Sequence, residues 1–108
     1  MSLEVVLTED AAKDLEELIG YLEAGDGPVA ADRVLARIGR KLEGLGELPA
    51  RVAPVRELAE LGIFEYREVF FKPYRLIYRV FEARVVVFVI SDGRRDFQTL
   101  LERRLLGV

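Results

Sequence analysis

The 108-residue sequence predicts one α+β domain, with elements in the order β-α-α-β-β-β-α. Three observations predict it. Residues 74–91 alternate and then run apolar, as two paired strands do. Two stretches before residue 47 repeat their apolar residues at helical spacing. A third helical pattern closes the chain after Gly93. The expected architecture is a small antiparallel sheet with a helical hairpin on one face and a C-terminal helix nearby.

Leu3-Glu4-Val5-Val6-Leu7 reads as a short strand. Thr8 is a candidate N-cap, with Glu9 and Asp10 in a first helical turn that favours acids. Ala12, Leu15, Ile19 and Leu22, with Leu18 beside them, form the inward stripe. Asp14, Glu16, Glu17 and Glu23 form the outer face. Gly25-Asp26-Gly27-Pro28 breaks the helix, and Pro28 suits the first position of the next. Val34, Ile38, Leu42 and Leu45 give the second stripe, with Gly44 and Gly46 ending the helix. So short a break predicts an antiparallel helical hairpin.

Residues 47–63 carry Pro49 and Pro54 and read as a loop over the core, with a short turn at Val55–Leu58. Phe64 to Phe71 alternates as a half-buried strand, and Lys72-Pro73 turns it into the hairpin. The hairpin runs from Tyr74 to Phe81, turns at Glu82-Ala83, and returns from Arg84 to Ser91. Tyr74, Leu76, Tyr78 and Val80 share one face; Arg75, Ile77, Arg79 and Phe81 share the other. Val85 to Ile90 is apolar without a break, which suits a central strand covered on both sides. In the last helix Phe97, Leu100, Leu101 and Leu105 point inward, while Glu102, Arg103 and Arg104 face water.

Composition excludes several chemistries. There is no cysteine and no histidine, so there is no disulfide framework and no thiolate or imidazole metal site. No cofactor and no metal are expected. No apolar run is long enough to span a membrane, and the acidic N-terminus lacks a signal-peptide pattern, so a cytoplasmic protein is expected. The net charge of −3 is unevenly spread: residues 1–63 carry net −6 and residues 64–108 net +3. The basic half would suit an anionic partner, although basic residues also serve to solvate sheet edges.

Tyr74-Arg75-Leu76-Ile77-Tyr78-Arg79, the Val85–Ile90 strand and Gly93-Arg94-Arg95-Asp96 together resemble the RelE/ParE superfamily of toxins from type II toxin–antitoxin systems. The plasmid-stabilisation, ParE-like members are the most similar. The resemblance covers the whole chain in element order. Either motif alone is weak; the pair at this spacing is fairly specific.

The resemblance implies two kinds of action. RelE-like members cleave messenger RNA on the ribosome without a metal. Such a site needs a base for the 2′-hydroxyl, cations for the phosphate and an acid for the leaving oxygen. Arg75 and Arg95 match that family's phosphate-binding arginines. Leu101 stands where the nuclease has its tyrosine, Tyr66 and Glu68 stand where it has lysines, and Lys72 sits at a turn. Substitutes would have to come from Tyr66, Tyr74 or Tyr78 as acid and Glu68 as base. ParE-like members lack the nuclease set and poison DNA gyrase, and the missing groups favour that branch. The implied partners are a ParD-like antitoxin and DNA gyrase, with the ribosome and mRNA as the alternative target. Arg75, Arg79, Arg94, Arg95, Tyr74 and Tyr78 are the implied target- or antitoxin-binding residues. A second alternative is a non-toxic module that only binds antitoxin. Set against these roles, Arg75 and Arg79 are also placed to form ordinary surface ion pairs with Glu65, Glu68 or Asp96, and Arg103 and Arg104 suit a helix C-terminus without any ligand.

Overall fold

The computed structural model describes residues 3–47, 54–93 and 96–107. The elements are β1 (Glu4–Leu7), α1 (Glu9–Asp26), α2 (Pro28–Glu47), α3 (Arg56–Ala59), β2 (Tyr66–Phe71), β3 (Tyr74–Val80), β4 (Arg84–Asp92) and α4 (Phe97–Leu106). This is the expected α+β order with one short helix added. The sheet order is β1-β4-β3-β2. Strands β2, β3 and β4 pair antiparallel, as expected, whereas β1 joins β4 in parallel. The α1–α2 hairpin carries the chain from β1 across the sheet to β2 at the opposite edge, and the β2–β3–β4 meander brings it back beside β1.

Local chemistry explains the boundaries. The Thr8 hydroxyl accepts the Ala11 amide at 3.1 Å and caps α1. Gly27 ends α1 at φ 92°, a conformation that favours glycine, and Pro28 opens α2. The helix α2 does not stop at Gly44; it runs through Gly46 to Glu47. Gly46 is needed for close approach instead. Its carbonyl accepts the Leu3 amide at 2.8 Å, and a Cβ there would stand 2.6 Å from the Leu3 carbonyl oxygen. Asp96 caps α4 through the Thr99 amide and hydroxyl, and Gly107 closes it in the left-handed region.

Two apolar clusters sandwich the sheet. On the hairpin side, Ala11, Ile38 and Leu45 pack on Tyr74, Leu76, Tyr78, Val85, Val87 and Ile90. On the other side, α3 and α4 supply Val55, Leu58, Phe97 and Leu101 against Ile77 and Val89. Burying each such side chain contributes about 1.5–3 kcal/mol. Ala11, not Ala12, lies on the inward stripe of α1, at helical spacing with Leu15 and Leu18; Ala12 is exposed.

The unbroken apolar run in β4 conceals a bulge. Tyr78 pairs with Val87 and Ile77 with Val89, so Phe88 is the extra residue. Val87 and Ile90 therefore face the helical hairpin, while Phe88 and Val89 both face the α3–α4 side. At β2, pairing starts at Tyr66, two residues later than expected, and Phe64 is left exposed.

Candidate functional site

Arg75 leaves β3 on the α3–α4 face, where Phe70 of β2 and Ser91 of β4 are its strand partners. Its stem crosses Gly93: a Cβ on Gly93 would lie 2.6 Å from Arg75 Cδ. Only a residue without a side chain leaves that passage open.

The guanidinium is then held by two carboxylates. Nη1 and Nη2 donate to Glu57 Oε2 and Oε1 at 2.7 and 2.8 Å, a bidentate pair with α3. Nε and Nη2 donate to Glu68 Oε2 and Oε1 at 2.6 and 2.7 Å. Four of the five guanidinium N–H groups are thereby used. One face of the guanidinium lies over the Phe97 ring at 4.0 Å. The Arg75 side chain is 12% exposed, and Glu57 and Glu68 are 13% and 18% exposed.

This is not an ordinary surface ion pair. It joins β2, β3, α3 and the start of α4 in one cluster. The hydrogen bond from Arg75 holds the Glu57 carboxyl below its usual range, against the opposing effect of burial. The same hydrogen bond raises the Arg75 guanidinium further above its already high range. Two carboxylates against one guanidinium leave the cluster with net charge −1, so it offers no excess positive charge to a phosphate. Among the described residues there is no group of three side chains able to ligate a metal ion.

The other sequence-derived residues scatter. Arg79 stays on the same face as Arg75, lying over the rings of Phe81 and Tyr66 at 4.8 and 5.8 Å. Tyr66 packs edge-on against Phe88 at 5.4 Å. Tyr74 and Tyr78 point the opposite way, into the hairpin core, and Tyr78 is fully buried. Burial pushes the Tyr78 phenol up to about 12. Leu101 is buried in the α3–α4 cluster. Arg94 and Arg95 lie outside the described residues. Arg104 does not face water; it turns in towards Asp14 on α1.

Glu57 is the residue that sequence reasoning missed. It lies 18 positions from Arg75 in the least regular part of the chain, where no alternation or helical repeat gives a register. The only signal is Val55 and Leu58, three apart, which place a helical turn there.

The sequence matches, over residues 5–97, the family described as "ParE toxin of type II toxin-antitoxin system, parDE". No curated protein matches it. Solved structures share its fold, among them three from toxin–antitoxin systems. A chain of the chromosomal ParDE system from P. aeruginosa aligns with a TM-score of 0.70 at 17% identity, covering 84% of this chain and 96% of that one. A chain of the RelBE2 toxin–antitoxin complex from Mycobacterium tuberculosis aligns at 0.62 and 26% identity, over 85% and 92%. A mutant of the E. coli toxin RelE in the free state aligns at 0.67 and 18% identity, over 100% and 99%.

Proposed function

Because the chain belongs to the ParE toxin family of type II toxin–antitoxin systems, we propose that it arrests growth by binding DNA gyrase and that a cognate ParD-like antitoxin neutralises it. The observation that carries this reading is the state of Arg75. A phosphate-binding arginine needs free N–H groups aimed at the place where charge develops. Here four of them are spent on Glu57 and Glu68.

The remaining nuclease substitutes fare no better. Glu68, the candidate base, accepts two bonds from Arg75. Tyr74 and Tyr78 are buried in the core on the far side of the sheet. Leu101 is part of the apolar cluster, with no proton to give. Tyr66 alone stays half-buried on the Arg75 side, packed against Phe88. A single phenol with neither a free base nor a free phosphate-binding arginine beside it favours action by binding, and a protein target fits that better than a scissile phosphate.

The test sets two assays side by side on the purified chain. Inhibition of gyrase supercoiling, with accumulation of cleaved DNA, is expected. Ribosome-dependent mRNA cleavage at defined codon positions in a translation mixture would overturn the reading in favour of the nuclease. Growth arrest on expression, relieved by a co-expressed antitoxin, is expected in cells; harmless expression of the intact chain would leave only the antitoxin-binding module.

A further inference from the structure

We infer that the flank of α2 carrying Arg33, Arg37, Arg40 and Lys41 is a docking surface for the phosphate backbone of duplex DNA. The inference rests on the gyrase reading for its setting, since a gyrase poison works beside DNA.

At 3.6 residues per turn the four cations fall within an arc of about 100°. Arg33, Arg37 and Lys41 repeat every fourth residue, about 6 Å apart along the axis. That is close to twice the ~3.4 Å axial spacing of phosphates on one DNA strand. All four side chains are exposed. Among the described residues no carboxylate pairs with any of them, in contrast to Arg75 and Arg104. The helix's own Asp32 and Glu43 lie outside the arc, and Glu47 follows Arg40 by about two turns.

The edge strand supports the row. Arg37 lies over the Phe71 ring at 4.7 Å, which fixes its position while leaving its N–H groups unspent. Arg67 shares this face of β2 with Phe71, four residues along the strand.

The form of the surface favours a polyanion over an acidic peptide. A segment that folds on binding needs apolar surface to bury. Two cavities formed by described residues open elsewhere: one lies between β1 and the C-terminal turns of α2, the other between α1 and the ends of β3 and β4. A phosphate backbone needs only a row of cations, and its attraction works without base contacts. The chain as a whole is net negative at −3, so general charge cannot attract DNA; a local row must.

The experiment is fluorescence anisotropy of a labelled duplex of arbitrary sequence with the purified full chain. Binding is expected to weaken by on the order of 10²-fold between 50 and 200 mM salt, as for about four phosphate contacts. The variant R33Q/R37Q/R40Q/K41Q should lose this binding, and partial variants should lower the salt slope by about one per cation removed. The control K13Q/R56Q/R103Q, which removes exposed cations elsewhere, should bind as the parent does. Antitoxin binding and melting temperature should stay unchanged in both. Equal duplex binding by stripe variant and control would overturn the inference. So would preference for single-stranded RNA, or loss of antitoxin affinity in the stripe variant. The two readings fail separately: gyrase inhibition without duplex binding removes the docking surface alone, and duplex binding without gyrase inhibition removes the target alone.

Discussion

The guanidinium of Arg104 closes on the carboxylate of Asp14, 90 positions away in the chain, through two N–H···O bonds of 2.9 Å. The pair sits where β1 stops covering β4. Beyond the Thr8–Val87 bond, the backbone of β4 would be left open around the bulge at Phe88. Asp14 Oδ2 accepts the Ile90 amide at 3.0 Å, and Arg104 Nη1 donates to the Phe88 carbonyl at 3.0 Å. One ion pair thus satisfies two backbone groups and ties α4 to α1.

Removing Arg104 leaves the part-buried Asp14 carboxylate with only the Ile90 amide, and removing Asp14 leaves Arg104 with the Phe88 carbonyl and a 3.8 Å contact to the exposed Asp10. D14N or R104A should therefore cost about 2–3 kcal/mol, a fall in melting temperature of roughly 4–8 °C per kcal/mol. The double variant should lose clearly less than the sum of the two. Urea denaturation checks both statements. Additive losses would mean that the two side chains act independently.

The Arg75 cluster should behave as a structural joint. R75K keeps the charge but loses the planar fork that serves two carboxylates, and should lose about 1.5–3 kcal/mol. Gyrase inhibition by R75K and R75A should fall together with thermal stability. If either variant kept its melting temperature but lost inhibition, Arg75 would be a contact residue for the target.

Much of the fold was legible because the signals were local. The Thr8 cap, the Pro28 start and the Tyr74–Val80 register follow from neighbours a few residues apart. The bulge was not legible, since an all-apolar run reads the same in either phase. The Arg75–Glu68 pair, seven positions apart, was among the ion pairs the sequence offered; the Arg75–Glu57 and Asp14–Arg104 pairs, 18 and 90 positions apart, were not legible. Surface-type residues such as Arg104 carry no mark in sequence that they will be turned inward. That Tyr66 and Glu68 share one face of β2 and Tyr74 and Tyr78 one face of β3 was readable; that the Tyr74–Tyr78 face would be the one closed by the helical hairpin was not.

The central strand gives a sharper check. Val87 and Val89 are both fully buried, on opposite sides of the sheet. V87D or V89D would bury an unpaired carboxylate and should cost several kcal/mol, enough to unfold a domain of this size. An unchanged melting temperature for either would contradict the two-sided burial of β4.

Two titrations have opposite signs. Glu57 is depressed in the fold by Arg75. Its contribution is present above the unfolded value near 4.5 and is lost as pH falls through the lower folded value. The E57Q variant should show a shallower loss of stability in that acid window. Tyr78 is raised from 10 to about 12 by burial. The unfolded chain then releases its phenolic proton first, so stability present below pH 10 is lost as pH rises towards 12. Y78F should remove that alkaline loss, and ultraviolet titration should find a late-ionising phenol that is absent from Y78F. Simultaneous ionisation of all the tyrosines in the folded chain would place Tyr78 outside the core.

Two glycines of the same helix should respond with opposite signs. A Cβ on Gly44 meets nothing within 4 Å. G44A should therefore stabilise α2 by about 0.4–1 kcal/mol, through lower entropy of the unfolded chain and better helix propensity. At Gly46, two residues on, a Cβ would stand 2.6 Å from the Leu3 carbonyl oxygen and 3.3 Å from Val5 Cγ2. That oxygen belongs to the backbone leading into β1 and cannot rotate aside. G46A must push β1 off the end of α2 and weaken the 2.8 Å bond from the Leu3 amide to the Gly46 carbonyl. Overpacking of this kind costs roughly 1–3 kcal/mol, more than the propensity gain returns. Chemical denaturation of the two single variants reads both signs directly. Stabilisation by G46A would show that β1 is free to shift, and that its parallel pairing with β4 is not held by α2.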